Sequence, residues 1–191
     1  IGFMMAPIHH PAMKNVMPTR QALGVRTIFN ILGPLTNPAN VKFQLTGAYD
    51  KALLRPMAET LKKLKTKKAW LVYGLDGTDE ISISGESYIV ELSGSKITEF
   101  IIHPRDANLN TRNFKELMGG SPSENKLALF KLLEGEKSAY RDSVILNSAA
   151  AILIAGRASN LSEGAELASE SIDSGAARTK LKKLIRATNG N

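Results

Sequence analysis

Hydrophobic and polar positions form a strand–helix–strand pattern in the first half of the chain. Apolar residues occupy every second position from Val41 to Tyr49, which predicts a half-buried strand. Residues 69–73 are a continuous apolar run, typical of a strand buried on both faces. Between them, Asp50 can cap a helix with an apolar face formed by Leu53, Leu54, Met57, Leu61 and Leu64. This spacing predicts two parallel strands joined by a crossover helix.

The second half of the chain changes from short strands to helices. Residues 81–83, 87–92 and 96–102 are typical of antiparallel strands separated by short turns. Capping residues and helical periodicity then predict four helices, at about 121–134, 138–156, 160–173 and 175–187. The last helix is expected to bury Leu181, Leu184 and Ile185. The expected fold class is α/β, with a mixed, mainly parallel central sheet, a short antiparallel meander and helices on both faces, in a single domain over residues 1–191.

The first forty residues are irregular and rich in proline. Short helical pieces are expected at 11–16 and 18–23, the second ending at Gly24, and a loop is expected over 33–38. Long loops in compact domains are usually functional or disordered. Apolar residues such as Phe3 and Phe29 argue against disorder, so the segment is a candidate functional region.

Composition excludes several kinds of site. The 191 residues are 43% hydrophobic and contain no cysteine, which excludes disulfides, zinc–thiolate sites and thiol catalysis. No stretch reaches the roughly 20 apolar residues that span a bilayer, so no membrane association and a cytoplasmic location are expected. The chain begins at Ile1 without a signal-peptide pattern, and we expect it to start inside a longer protein.

The net charge of +7, from 25 basic and 18 acidic residues, allows two interpretations. It indicates either an anionic partner or ordinary solubility charge, since the lysines are scattered over several predicted helices. The densest basic run, in the last predicted helix, comprises Arg178, Lys180, Lys182, Lys183 and Arg186. Nucleic-acid binding is not expected, because aromatic and basic residues do not interleave as base-stacking surfaces require.

An acidic cluster gives the clearest chemical signal. Asp76, Asp79 and Glu80 follow the buried strand 69–73, and ligands of open α/β sheets bind beyond the carboxyl ends of strands. Mg²⁺ prefers one or two carboxylates together with waters and phosphate oxygens. Asp79 and Glu80 are therefore candidate Mg²⁺ ligands for a phosphorylated substrate, and the alternative is a solvated Asp–Gly turn.

Other candidates are less specific when taken from the residues alone. His9 and His10 lie in a proline-bounded segment and could contact a substrate or serve the local structure. Arg20 and Arg26 could hold a carboxylate or phosphate through two parallel hydrogen bonds, or be surface cations. No nucleophile is marked by its surroundings, so no catalytic residue is assigned.

Several segments resemble the anthranilate phosphoribosyltransferase family. They are residues 3–14 (FMMAPIHHPAMK), 20–39 (RQALGVRTIFNILGPLTNPA), 77–82 (GTDEIS) and 142–150 (DSVILNSAA). The resemblance implies transfer of the phosphoribosyl group of phosphoribosyl pyrophosphate to the amine of anthranilate, in tryptophan biosynthesis. It further implies that Arg20 binds the anthranilate carboxylate, that His10 and Pro34 line the anthranilate path, and that Asp79 and Glu80 hold Mg²⁺.

The same resemblance implies that part of the active site lies elsewhere. The family's glycine-rich pyrophosphate loop and its helical dimer-forming domain precede the region that matches Ile1. We therefore expect these 191 residues alone to lack transferase activity, and the full-length protein to be a homodimer. Two alternatives stay open: a related pyrimidine-nucleoside phosphorylase, and a non-catalytic paralogue that binds nucleic acid.

Overall fold

The computed structural model describes residues 1–4, 6–9, 15–25 and 27–190. It divides into two compact units, residues Ile1–Val41 and Lys42–Asn191. The single domain expected over 1–191 stays a prediction. No helix in the described ranges is both long enough and apolar enough to cross a membrane.

The first unit contains three short helices, α1 (Ala6–His9), α2 (Met17–Leu23) and α3 (Phe29–Leu35). Helix α2 begins with Pro18 in its first turn and ends at Gly24, whose φ of 60° is the left-handed conformation that glycine adopts readily. The predicted helix over 18–23 is thus confirmed, whereas most of the piece predicted at 11–16 lies outside the described residues. None of the described side chains of this unit is buried.

The loop predicted over 33–38 is wrong for its first three residues, because α3 continues through Gly33 and Pro34 to Leu35. A proline lacks the N–H that would bond the carbonyl four residues back, so this helix forfeits one hydrogen bond in its last turn. Thr36 then closes the helix, since its hydroxyl donates to the Leu32 carbonyl (2.8 Å) and its N–H donates to the Gly33 carbonyl (3.2 Å).

The second unit is built on a four-stranded sheet in the order β1–β2–β3–β4. The strands are β1 (Phe43–Gly47), β2 (Lys68–Gly74), β3 (Ser87–Ser93) and β4 (Lys96–Ile102). Strands β1 and β2 are parallel and the other two pairs are antiparallel. The α/β class and the mixed sheet are confirmed. The parallel share is smaller than expected, because the described residues contain one strand–helix–strand crossover.

Helices cover both faces of this sheet. Helix α4 (Leu54–Lys63) packs on β2 and β3 and buries Leu54, Met57, Ala58 and Leu61. On the opposite face, Trp70 and Val72 of β2 join the core beneath the remaining helices. These are α5 (Pro122–Leu133), α6 (Ala139–Ile154), α7 (Leu161–Asp173) and α8 (Ala176–Asn189). The alternation of side chains along a strand therefore places Trp70 and Leu71 in different layers.

The predicted caps begin the helices as expected. Asp50 accepts a hydrogen bond from the Ala52 N–H at the 3-10 turn that leads into α4. Ser121 and Glu124 form a reciprocal capping box at α5. Asn160 accepts from the Glu163 N–H at α7, although the Glu163 carboxylate bonds Ser159 instead of Asn160.

Helices α6 and α7 approach each other closely at Gly164. A Cβ placed on Gly164 would lie 2.7 Å from the carbonyl oxygen of Ala149, closer than real Cβ contacts come. The absence of a side chain at position 164 therefore sets the separation of the two helices. The pair is tied again near its ends, where the buried Arg141 forms two 2.9 Å hydrogen bonds with Asp173.

The strand predicted at 81–83 is wrong, although Ile81 and Ile83 are fully buried. Side chains replace a strand partner here. The backbone of Ile81 bonds the Asn147 amide, and the Ser82 N–H donates to the Ser87 hydroxyl (2.8 Å). The segment 81–83 is short and has turns on both sides, so it is too short to form a ladder of backbone hydrogen bonds with another strand.

Two further expectations need correction. Helix α8 buries none of its residues, and Ile185 is 44% exposed, because only one side of this last helix meets the core. Strand β1 is covered on both faces instead of one. Leu45 packs against the main core while Thr46 is buried on the other face.

Candidate functional site

The loop after β2 carries the predicted acidic cluster. Strand β2 ends at Gly74, and the chain folds back at once, because the Gly74 N–H donates to the Thr78 carbonyl (2.9 Å). The next N–H, of Leu75, donates to the Glu86 carbonyl (3.0 Å). The cluster therefore lies at the carboxyl end of a buried strand, the place where open α/β sheets bind ligands.

Asp76 holds this loop together. One carboxylate oxygen accepts from the Thr78 hydroxyl (2.8 Å) and N–H (3.2 Å), and the other accepts from the Ser82 hydroxyl (2.5 Å). Partial burial raises the pKa of Asp76, but these hydrogen bonds outweigh it, and the pKa is lowered from its usual value. Of the three carboxylates in the cluster, Asp76 is therefore engaged within the fold.

Gly47, the last residue of β1, lets the loop approach the sheet. A Cβ on Gly47 would overlap the backbone carbonyl of Asp79. Because backbone atoms cannot move aside as a flexible side chain can, a residue without a side chain is required at this contact. The contact places Asp79 and Glu80 at the carboxyl ends of the two parallel strands.

Asn147 holds the far end of the loop from helix α6. Its Oδ1 accepts from the Ile81 N–H and its Nδ2 donates to the Ile81 carbonyl, both at 3.0 Å. The Nδ2 also donates to the Ser143 carbonyl one turn back on the helix (3.1 Å). The Asn147 amide thus provides Ile81, the residue after Glu80, with the hydrogen bonds that a neighbouring strand would otherwise provide.

Asp79 and Glu80 are exposed, and their carboxylates make no hydrogen bond or ion pair with any other residue in the described part of the chain. They line a cavity of about 740 Å³ in the second unit. Its other lining residues include Gly47, Thr78, Phe114, Tyr140, Ser143 and Asn147. The fold therefore supports two carboxylates at a cavity wall without using either as a structural partner.

This donor set fits a Mg²⁺ ion that shares its coordination with a ligand. The described ranges contain no group of three or more acidic or histidine side chains able to hold a metal. Mg²⁺ uses one or two carboxylates plus waters and phosphate oxygens. The acidic pair and the adjacent cavity match that kind of site.

The residues predicted for the acceptor belong to the first unit. Arg20 lies on α2, with its guanidinium 5.9 Å from the centre of the Phe29 ring and Nη1 3.9 Å from the Met17 sulfur. It has no acidic partner within the described ranges. Pro34 is half-buried in α3, while His10 and Arg26 lie outside the described residues. Asp79 and Glu80 are therefore brought together by one loop, and Arg20 and Pro34 belong to a separate unit.

Three residues that shape the acidic loop were not predicted as such: Asp76, Gly47 and Asn147. One signal pointed to Asn147, which together with Ser148 interrupts an apolar run in a segment predicted as a buried helix. Another was the resemblance over 142–150. No pattern in the sequence pointed to Gly47, because its role depends on a contact with a residue 32 positions later.

Comparison with known proteins matches the chain to a family. The family described as "Glycosyl transferase family, a/b domain" matches residues 1–178. The chain belongs to this family. The match includes both units and ends inside α8, so the family covers every predicted site residue.

Similar relatives are named anthranilate phosphoribosyltransferase. The protein from Azorhizobium caulinodans is 53% identical over 188 residues, which is 98% of this chain and 55% of that protein. The protein from Parvibaculum lavamentivorans is 50% identical over 190 residues, which is 100% of this chain and 56% of that protein. The resemblance stated from the sequence motifs is confirmed, and the chain spans about half the length of these relatives.

Solved structures agree with the family. Anthranilate phosphoribosyltransferase from Thermus thermophilus has a TM-score of 0.89 and 39% identity, covering 96% of this chain and 54% of that one. The Saccharomyces cerevisiae enzyme has been solved in complex with PRPP and Mg (TM-score 0.88, 26% identity, 95% and 53% covered). It has also been solved with 4-fluoroanthranilate (TM-score 0.90, 28% identity, 100% and 55% covered).

Proposed function

We propose that the protein carrying this chain transfers the phosphoribosyl group of phosphoribosyl pyrophosphate to the amine of anthranilate. The products are N-(5-phosphoribosyl)anthranilate and pyrophosphate, in tryptophan biosynthesis. One observation carries the proposal: a chain of this family holds two otherwise unpartnered carboxylates at the carboxyl ends of parallel strands, beside a cavity. A cytoplasmic location and a homodimer are part of the proposal.

On the metal side, Asp79 and Glu80 would hold Mg²⁺ beside the pyrophosphate. When bound, Mg²⁺ neutralises negative charge that develops on the departing pyrophosphate. The chain's own part is to hold both acidic residues in the lining of the cavity. Asp76, Gly47 and Asn147 fix the loop before the ligand arrives, and such preorganisation is a large source of catalytic acceleration.

On the acceptor side, Arg20 would bind the anthranilate carboxylate, and His10 and Pro34 would line the anthranilate path. A guanidinium can hold a carboxylate through two parallel hydrogen bonds, which fixes the plane of the aromatic acid. The support is that Arg20 has no acidic partner within the described ranges and rests beside the Phe29 ring. The S. cerevisiae enzyme solved with 4-fluoroanthranilate adds support from a relative.

The proposed reaction needs no strong protein base. The amine of anthranilate is already a nucleophile, and its neighbouring carboxylate can accept the proton that it loses. Positioning of the two substrates then supplies much of the rate. The nucleoside phosphorylase and nucleic-acid alternatives are not favoured, because the relatives and structural neighbours share the transferase name.

A graft tests the proposal. The matching 188-residue segment of the A. caulinodans relative is replaced by this chain, and turnover of anthranilate with phosphoribosyl pyrophosphate is followed by loss of anthranilate fluorescence. We expect Mg²⁺-dependent turnover by this graft enzyme, and growth of a tryptophan auxotroph that carries it. A folded graft enzyme without turnover, beside an active parent relative, would contradict the proposal.

A further inference from the structure

Asn147 is a polar residue in the most apolar helix of the second unit. Its neighbours Leu146, Ala149 and Ala150 are fully buried, and α6 packs against β1, β2 and α7. Asn147 itself is half-buried, and an amide placed there is costly unless the donors and acceptor that are removed from water are bonded. All of its described hydrogen bonds go to backbone groups, and two of the three go to one residue, Ile81.

Both backbone polar groups of Ile81 depend on Asn147 for a hydrogen-bond partner. The whole residue is 1% exposed, so its N–H and carbonyl are removed from water, and Asn147 supplies a partner for each. A buried backbone group that loses its partner costs much more than an exposed one. The position of the Ile81 backbone is therefore set by Asn147, and Glu80 is the preceding residue.

The loop that carries the acidic pair is thus held at three points. Asp76 bonds Thr78 before the pair and Ser82 after it, and Asn147 bonds Ile81, the residue that follows the pair. The backbone of Asp79 rests on Gly47 between them. Each fixed point is reached from a different element: the loop itself, strand β1 and helix α6. Of the three, helix α6 contributes a side chain that also lines the cavity.

We propose that Asn147 is a positioning residue for the Asp79–Glu80 pair, acting through the backbone of Ile81 and not by touching the cation or substrate. The inference rests on the proposed metal-binding role of that pair. Removal of a group that contacts and orients the metal ligands, without contacting the metal, typically lowers metal affinity about 10- to 100-fold. A residue that serves only the stability of α6 would leave metal affinity unchanged.

The chain contains a matched control for this role. Asn125 on α5 makes the same two bonds with one backbone unit, accepting from the Gly120 N–H (3.0 Å) and donating to the Gly120 carbonyl (3.2 Å). Asn125 does not line the cavity beside Asp79. Asn147→Leu and Asn125→Leu therefore each remove two bonds to one backbone unit, one unit beside the acidic pair and one exposed and away from it, and Asn147→Leu also removes the bond to the Ser143 carbonyl.

The experiment measures Mn²⁺ binding to the graft enzyme, in the presence of phosphoribosyl pyrophosphate and without anthranilate, by electron paramagnetic resonance of the free ion. Mn²⁺ is the probe because carboxylate and water ligands suit it as they suit Mg²⁺. We expect Asn147→Leu to weaken Mn²⁺ binding about 10-fold or more, and Asn125→Leu to leave it at the parental value. Amide hydrogen exchange should show loss of protection at Ile81 in Asn147→Leu alone. If that variant does not fold, Asn147→Ala replaces it.

The Asp79→Asn, Glu80→Gln double variant separates the two levels of the proposal. If the double variant binds Mn²⁺ as the parent does, the metal role of the pair and the positioning role of Asn147 are both overturned. If the double variant loses binding while Asn147→Leu and Asn147→Ala keep it, the positioning role alone is overturned. Loss of binding in Asn125→Leu equal to that in Asn147→Leu would also overturn it, since the effect would then follow from general destabilisation.

Discussion

The two groups of candidate site residues are supported in different ways. The acidic pair lies on a loop fixed by Asp76, Gly47 and Asn147, in a unit with a continuous hydrophobic core. Arg20 lies on a seven-residue helix in a unit with no buried described side chain, and its contacts are a ring and a sulfur atom. The acidic pair is therefore held in place by surrounding residues, whereas Arg20 is held by few contacts.

The metal role of the acidic pair and the acceptor role of Arg20 therefore have different support. The position of the acidic pair follows from general physics, because a carboxylate cluster after a buried parallel strand lies where ligands bind. The role of Arg20 rests on family resemblance and on its lack of an acidic partner in the described ranges. Changes at the pair should affect metal dependence, changes at the residues that hold its loop should affect folding, and changes at Arg20 should affect acceptor binding alone.

Removal of the acidic pair should produce the largest effect on activity. In the graft enzyme, Asp79→Asn with Glu80→Gln is expected to lower kcat/KM for phosphoribosyl pyrophosphate roughly 100-fold, because about 3 kcal/mol of charge stabilisation is lost. Both replacements keep the size of the side chains, so the melting temperature should be unchanged. Steady-state rates across a Mg²⁺ series measure the effect. An unaltered Mg²⁺ dependence would contradict the metal-binding role of the pair.

Arg20→Ala should have the next largest effect, confined to one substrate. Loss of a guanidinium that pairs a substrate carboxylate costs roughly 2–5 kcal/mol, so the KM for anthranilate should rise about 30-fold or more. The KM for phosphoribosyl pyrophosphate should change little. Arg20→Lys is the matched variant, because it keeps the charge and loses the planar two-bond geometry. Equal increases in both KM values would contradict an acceptor-specific role.

Gly47→Ala should destabilise the loop side without any change of charge. Its Cβ would overlap the Asp79 backbone, and relief of that overlap should cost about 3 kcal/mol of unfolding free energy. Gly85→Ala is the control, since a Cβ there meets no atom within 4 Å. Chemical denaturation of the 191-residue chain measures both variants. Equal stability of the two would show that the loop does not rest on β1 as described.

The smallest expected effect concerns pH. The pKa of Asp76 is lowered in the folded protein, so its carboxylate adds stability that is fully present above its unfolded pKa of about 4. That contribution is lost as the pH falls through the lower folded pKa. Asp76→Asn should remove about 1 kcal/mol at pH ~7 and progressively less below pH ~4. Unfolding free energies from about pH 7 to about pH 2.5 measure this, and a constant difference between parent and variant would count against it.

Much of the second unit could be predicted from periodicity and caps. The strand predicted at 69–73, found at Lys68–Gly74, follows from a continuous apolar run, and the helices follow from apolar periodicity and local capping hydrogen bonds, which act over a few residues. The errors share a physical cause. Ile81 and Ile83 have the composition of a strand, but the partners of this segment's backbone include side chains from distant positions.

The candidate site also contains features that follow from the local sequence and features that depend on contacts between distant residues. Asp79 and Glu80 could be placed from the strand that precedes them, a local relation. The engagement of Asp76 by Ser82, and the contact of Gly47 with residue 79, arise only when the chain is folded. Helix α3 shows the reverse, since a glycine–proline pair predicted a loop while the helix continued through its last turn.

The close approach of α6 and α7 affects how natural sequence variants of this protein should be interpreted. Gly164 fixes how α6 lies against α7, and Asn147 is only two residues from the contact point, Ala149. Replacement of Gly164 by alanine is a small, uncharged change at a position that lies outside the cavity lining. A survey that ranks variants by chemical similarity or by distance from the acidic pair would score it as benign, yet it should disturb the same loop as a substitution at Asn147.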